Sequence, residues 1–428
     1  MKLLIKNGRV VHPVTGTVLL QDILAENGRI SLMEPGLDVR ADRVIDASRL
    51  MVAPGLVDMH VHLRDPGLTY KEDIFTGCAA AARGGVTSLA CMANTSPAVD
   101  CPEQVEYVLS RARQANGVGV YPVAALSRGL RGEEPTDAEA LKKAGAVALS
   151  DDGCNVDNAN LMRDVLIRTR QLDLPVLCHC EDTSMVADRA VNEGSVSRQL
   201  WLEGRPAIAE EIMVMRDAML AEETGSSVHI CHVSTARSVE IIRKMKKKGV
   251  HITCETCPQY FTLTEDEVLT QGAMARVNPP LRTQTDVQGI IAGLKDGTID
   301  AIATDHAPHS REEKVRPLSR APSGMIGLET SLALALTQLY HTKKMDLPAI
   351  IRRMSTNPAD ILHLARGHMS IGAVADLVIF DPDEMWTVDP LLFASKARNT
   401  PFAGRQVKGR VKYTIVKGEV IYEDERKR

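Results

Sequence analysis

The chain has 428 residues, 44% hydrophobic and 25% charged, the ordinary balance of a globular protein with a sizeable core. Lysine and arginine number 51 against 55 aspartates and glutamates, a net charge of −4. That excludes bulk attraction to nucleic acid or to an anionic membrane as the main task, and no run of about 18 apolar residues is present to span a bilayer. At roughly 150 residues per domain the length suggests two or three domains, and one barrel of ~250 residues plus a smaller unit fits equally. The N-terminal MKLLIKNGRVV meets a second charge at Lys6, too early for a signal-peptide core. Nine cysteines, an odd number without an export signal, are expected to be reduced thiols in the cytoplasm.

Residues 1–52 read as short strands. LLIKNGRVV, TVLLQDILAENGRI and DRVIDASRLMV place Asn-Gly pairs between apolar or alternating runs, a hairpin pattern. The middle of the chain differs. Apolar runs recur at PGLVDMH, VTSLACM, GVYPVAAL, AVALSD, LPVLCH, SVHICH, VHITCE and DAIATD. Between them lie segments of helical spacing, such as AEEIMVMRDAMLAEETG, where Ile212, Met215, Met219 and Leu220 recur and Gly225 marks the stop. Continuous apolar strands alternating with helices predict a parallel sheet covered on both faces, and eight runs fit a closed (β/α)8 TIM barrel better than an open sheet. The basic run Lys244–Lys248 before Gly249 reads as a solvated helix end whose cations complement the dipole. The last sixty residues return to strands, with Lys417-Gly418 as a turn. Each terminal segment is too thin to hold a core alone, so residues 1–52 and 366–428 are expected to combine into one small sheet domain, with the barrel occupying 53–365.

The informative residues sit where these strands end. His60 and His62 stand two apart at the end of the first run, so both face the barrel interior while Val61 packs outward. Asp152 follows AVALS, His179 follows LPVLC, His232 follows SVHIC and Asp305 follows DAIAT. The carboxyl ends of barrel strands carry the active site. Four imidazoles and two carboxylates there make a site for two divalent metals, zinc first. One histidine at a strand end is ordinarily a hydrogen-bonded structural residue, and one aspartate an N-cap. Six at the same end of successive strands resist that reading. Cys178 and Cys180 have the opposite strand parity to His179 and are expected to face the helix layer. Cys254-x-x-Cys257 lacks the second pair that a four-sulfur zinc site requires.

At HVHLRDPG (60–67) the chain resembles the long bacterial dihydroorotases of the amidohydrolase superfamily. The resemblance extends through KEDIFTGCAAAARGGVTS, CMANTSP at 91–97, SDDG at 150–153, RVNPPLR at 276–282, TDHAPH at 304–309, GLET at 327–330 and the closing GAVADLVIFD. It implies a metal-bearing barrel with a β-sandwich made from both chain ends. It also implies two zinc ions per subunit, held by His60 and His62 at the first site and His179 and His232 at the second. Asp305 would complete the first site and carry the proton. Asp152, standing where many relatives have a carboxylated lysine, would bridge the metals together with a hydroxide that attacks the amide carbonyl. Arg64 and Asn94, with Asn278, would grip the substrate carboxylate, and His309 with the backbone around Ser323-Gly324 would hold the ring amides or the carboxylate side; His62 also would lie against substrate. Ala93, Ser323 and the run ETCPQYF depart from the usual pattern and bear on substrate details rather than on the metal positions.

The reaction so implied is the reversible cyclisation of N-carbamoyl-L-aspartate to L-dihydroorotate in pyrimidine synthesis. A homodimer and an association with aspartate transcarbamoylase are family expectations; no nucleic acid or membrane partner is implied. A hydantoinase or allantoinase is the rival within enzymes, disfavoured by Arg64 and Asp152. A non-catalytic paralogue that scaffolds aspartate transcarbamoylase is the rival outside them, disfavoured because every metal position is filled. The charged segment 310–324, poor in apolar residues, suits either a cover over the substrate or a plain surface connection.

Overall fold

The computed structural model describes residues 2–186 and 189–424. Met1 and residues 425–428, the outermost positions of the two terminal segments, lie outside the described residues. The N-terminal strands are β1 (Lys2–His12), β2 (Thr17–Glu26), β3 (Arg29–Glu34), β4 (Arg43–Asp46) and β5 (Met51–Pro54). Asn27 and Gly28 both take positive φ, 51° and 77°, and make the expected tight turn from β2 to β3. Asn7-Gly8 does not turn the chain. It is a bulge inside one continuous strand, with the register slipping between Ile5 and Gly8. The bulge lets β1 change partner, pairing with β4 through Leu3–Lys6 and with β5 through Arg9 and Val10. A side chain at Gly8 would meet Val52 Cγ2 at 2.6 Å, so the close approach of β5 requires glycine.

The barrel strands follow in chain order: β6 (Leu56–Val61), β7 (Val86–Cys91), β8 (Gly119–Ala124), β9 (Ala148–Leu149) and β10 (Leu177–Cys178). After β10 the chain makes an excursion containing a two-stranded ladder, β11 (Val191–Asn192) with β12 (Gly204–Arg205), before β13 (Val228–Ile230), β14 (Ile252–Thr256) and β15 (Ala301–Ile302). Two parallel four-stranded runs, β6-β7-β8-β9 and β10-β13-β14-β15, are joined by bridges at Leu149↔Val176 and Val61↔His306. Those bridges close the (β/α)8 barrel of this α/β fold. Met59, Ala90, Met92, Val123, Ala148, Leu177, Cys231, Ala301 and Ala303 fill its interior.

Helices cover the outside, though not always by the expected face. The helix Ile208–Thr224 stops at Gly225, where φ is 62°. It buries Ala209, Met213, Val214, Ala218 and Ala221, whereas Ile212, Met215 and Met219 stand 40%, 36% and 57% exposed. The buried face also carries carboxylates with partners: Glu210 accepts from Ser234 and Thr235, and Asp217 from Arg216. Those paired charges erase the apolar contrast on which periodicity depends.

Three strands complete the terminal sheet: β16 (Leu377–Thr387), β17 (Gln406–Val416) and β18 (Glu419–Glu423), the last two joined through Lys417-Gly418 with φ of 50° and 75°. β16 pairs antiparallel with β5, which brings the two chain ends into one mixed eight-stranded sheet, with Leu3, Ile5, Val10, Ile23, Leu377, Ile379 and Ile415 in its core. The division into 1–52, 53–365 and 366–428 remains a proposal, with β5 crossing its first boundary.

Candidate metal centre and substrate cleft

Each candidate ligand stands where a barrel strand gives way to its loop. Pairing of β6 with β7 slips between Asp58 and Val61. The slip allows Met59 to join the barrel interior and Val61 the helix-side core, while His60 and His62 converge on the interior carboxylates. His232 and Asp305 hold positive φ, 34° and 48°, rare for such residues and a form of strain concentrated at functional sites.

Asp152 is the hub. Its Oδ1 lies 3.3 Å from His60 Nε2, 3.3 Å from His232 Nε2 and 3.4 Å from His179 Nδ1, and its Oδ2 is 3.4 Å from His62 Nε2. One carboxylate therefore faces all four imidazoles, as a bridging ligand must. Asp305 Oδ1 lies 2.9 Å from His62 Nε2 and 3.7 Å from His60 Nε2. Donor atoms of His60, His62 and Asp305, and those of Asp152, His179 and His232, fall within 4.8 Å of one another in each group. Cys231 forms a third group with His60 and Asp152. His60 Nε2 is buried with no hydrogen-bond partner. Nitrogen and oxygen donors this crowded, with one imidazole lone pair orphaned, fit divalent cations of the zinc type.

Partners outside the cluster orient it. His60 Nδ1–H donates to Glu255 Oε1 at 2.6 Å, and His62 Nδ1–H to Asn94 Oδ1 at 2.8 Å, which turns both Nε2 lone pairs toward the carboxylates. Burial pushes the Asp152 carboxyl up, but His60, His179 and His232 outweigh it and hold it well below the ordinary value. Burial pulls the His179 imidazole down, and Asp152 and Glu181 more than reverse this, to about 10. Glu255 is likewise raised by burial and brought to about 2 by His60 and His229.

A cleft of about 300 Å³ opens over this cluster. Every residue nominated from the sequence lines it except His60, which lies beneath; Gly153 and Ala307 join them. Arg64 is 8% exposed, with φ 59°. Its Nε donates to the Pro308 carbonyl at 3.2 Å, and among the described residues its two Nη groups make no hydrogen bond. Burial lowers its pKa against the pull of Asp305, Asp152 and Glu313.

Three of the expected substrate contacts also bond within the protein. Asn278 is engaged within the protein: Oδ1 accepts from Arg205, and Nδ2 donates to Glu181 Oε2 at 3.1 Å and lies 3.4 Å from His179 Nε2. It braces His179 and lines the cleft. Gly324 uses its own N–H on the Arg276 carbonyl, and its carbonyl accepts from Lys314. A Cβ there would meet Ala307 and His309 at 2.7 and 3.0 Å. His309 donates from Nε2 to the Ser323 carbonyl at 2.8 Å; burial and the Arg64, Lys71 and Lys314 charges push its pKa down to about 2 and keep it neutral.

Segment 310–324 is tethered. Ser310 caps the helix Arg311–Lys314, Glu313 pairs with Lys71 at 2.9 Å, and buried Lys314 donates to the Pro322 and Gly324 carbonyls at 3.1 and 3.0 Å. Cys178 and Cys180 face the helix layer, where Cys180 donates to Asp217, and all nine cysteines are unpaired. Sequence reasoning missed Glu255 and Glu181 with Arg205. A carboxylate ending the run VHITCE was a signal for the first; nothing local marks the second.

The family model described as Dihydro-orotase-like matches residues 48–238. A protein named Dihydroorotase from Ruminiclostridium cellulolyticum is 48% identical over 98% of this chain and 98% of its own length. One of the same name from Pelobacter propionicus is 49% identical over 99% and 100%. Among solved structures, the L-hydantoinase (dihydropyrimidinase) of Arthrobacter aurescens superposes with a TM-score of 0.89 at 26% identity, covering 98% of this chain and 96% of that one.

Proposed function

The chain belongs to the dihydroorotase family, cyclic amide hydrolases, and we propose that the cleft described above interconverts N-carbamoyl-L-aspartate and L-dihydroorotate by the following division of labour. His60, His62 and Asp305 would hold one zinc ion and His179 and His232 a second, with Asp152 between them. Ions held there supply Lewis-acid polarisation of the amide carbonyl and activation of water at neutral pH. Asp305, on a strained backbone at the cleft wall, takes the proton from the attacking water and returns it to the departing ring nitrogen, a shuttle contributing on the order of 10²–10⁴-fold. Asn94 keeps its amide nitrogen for substrate while its oxygen orients His62.

Arg64 is the observation that carries the substrate reading. A buried guanidinium with two open Nη groups, beside the metal cluster, is a ready bidentate receptor for a ring carboxylate. A hydantoin ring offers no carboxylate to it. Among the described residues no helix is long and apolar enough to cross a membrane. A cytoplasmic setting, a homodimer and an aspartate transcarbamoylase partner complete the proposal. The test is turnover of dihydroorotate, hydantoin and allantoin by one purified preparation. Preference for dihydroorotate is expected; preference for either of the others would overturn the substrate assignment.

A further inference from the structure

Between β16 and β17 the chain leaves the terminal sheet and returns to the catalytic end of the barrel. Ser395 and Lys396 bond there to Glu72, and the Asn399 carbonyl accepts from Ile326 N–H at 2.9 Å. The Asn399 side chain is 2% exposed and fully engaged. Its Nδ2 donates to the Ala307 carbonyl at 3.0 Å and the Gly324 carbonyl at 3.1 Å, and its Oδ1 accepts from His309 N–H at 3.1 Å. These three backbone groups belong to the two segments that form the His309–Ser323 wall of the cleft. Among the described residues the segments pair as a ladder only at His306↔Met325, with Ala307 N–H on the Met325 carbonyl. Beyond that point Asn399 replaces the ladder, since a planar amide offers two donors and an acceptor together.

We propose that Asn399 is a positioning residue for substrate: it sets the spacing of the His309 and Ser323 segments, and through them the fit of the cyclic ring over the metal cluster. The inference rests on the dihydroorotase reading and deepens it. None of the candidate metal ligands bonds to Asn399, so its loss loosens ring binding while leaving the proton shuttle and the ligand cluster in place.

Asn399→Asp preserves shape and the acceptor for His309 N–H, but sets an oxygen against two carbonyls. Asn399→Ala leaves those groups unpaired. Loss of the two donated hydrogen bonds is expected to raise KM for dihydroorotate about tenfold or more, with kcat within about threefold and metal content unchanged. For Asn399→Asp the KM ratio to wild type should shrink from about pH 8 to about pH 6, because a protonated carboxyl regains one donor. A KM within about twofold of wild type in a folded variant would overturn the proposal, as would a pH-independent ratio. So would parallel loss of kcat, metal and melting temperature, or failure of both variants to fold, each of which assigns Asn399 to stability alone. Wild-type protein that does not open dihydroorotate would instead refute the family reaction, a separate outcome.

Discussion

Replacing Arg64 probes the substrate carboxylate site most sharply. Its guanidinium is 8% exposed, bonded to protein only through Nε, and has no ion-pair partner within 4.0 Å among the described residues. Two charge-assisted hydrogen bonds to a carboxylate, at ~1.5–3 kcal/mol each, give a loss of about 3–6 kcal/mol in Arg64→Met, or about 10²–10⁴ in kcat/KM. Arg64→Lys keeps the charge without the fork and should lose about 10–100-fold. Initial rates of dihydroorotate ring opening measure both. The carboxylate-free analogue 5,6-dihydrouracil supplies the control, since wild type and Arg64→Met should differ little on it. Removing an uncompensated buried charge should leave the melting temperature equal or raise it. An Arg64→Met variant within about threefold of wild type on dihydroorotate would refute the carboxylate assignment.

Asp305→Asn should abolish turnover while most of the metal stays bound by the five other ligands; near-normal rates would remove Asp305 from the proton path. Ring closure converts a dianion to a monoanion and consumes one proton, so the equilibrium ratio of ring to open form should rise about tenfold per unit fall in pH. A flat ratio would contradict the assigned reaction. Burial raises the Glu329 carboxyl to about 7, despite the Ala394 and Ser395 amides and the Arg83 and Arg398 charges. A folded pKa above the unfolded one gives stability that is full below the ordinary value of 4.5 and lost as pH rises through about 7. Melting temperature should therefore fall more steeply with rising pH in wild type than in Glu329→Gln; matching slopes would show Glu329 does not titrate in that window.

The features legible in the sequence were local. Apolar runs closing on His60, His179, His232 and Asp305 identified both the barrel and its catalytic end, because strand parity and strand ends are written in adjacent residues. Asn27-Gly28 and Lys417-Gly418 were legible turns for the same reason. Asn7-Gly8 carried the same signature but serves a bulge, since its role depends on Val52, distant in sequence and adjacent in space. The helix face of Ile212, Met215 and Met219 misled because buried carboxylates on the opposite face find partners, Glu210 in Ser234 and Thr235 and Asp217 in the adjacent Arg216. Asn278 lines the cleft, and its bonds to Arg205 and Glu181, 73 and 97 residues away, are not written locally. Glu255 and Asn399 act across 195 and 90 residues of chain, on His60 and His309 respectively; the end of VHITCE marks Glu255 as a residue, but nothing local names its partner, and Asn399 has no local mark at all.

Elemental analysis and dihydroorotate turnover on the same chelator-free sample test the central claim most directly. Two equivalents of divalent metal per chain are expected, with activity that vanishes on chelation and returns with added zinc. Full activity in metal-depleted protein, or ligand variants at His60 and His179 that leave the metal content unchanged, would contradict the account.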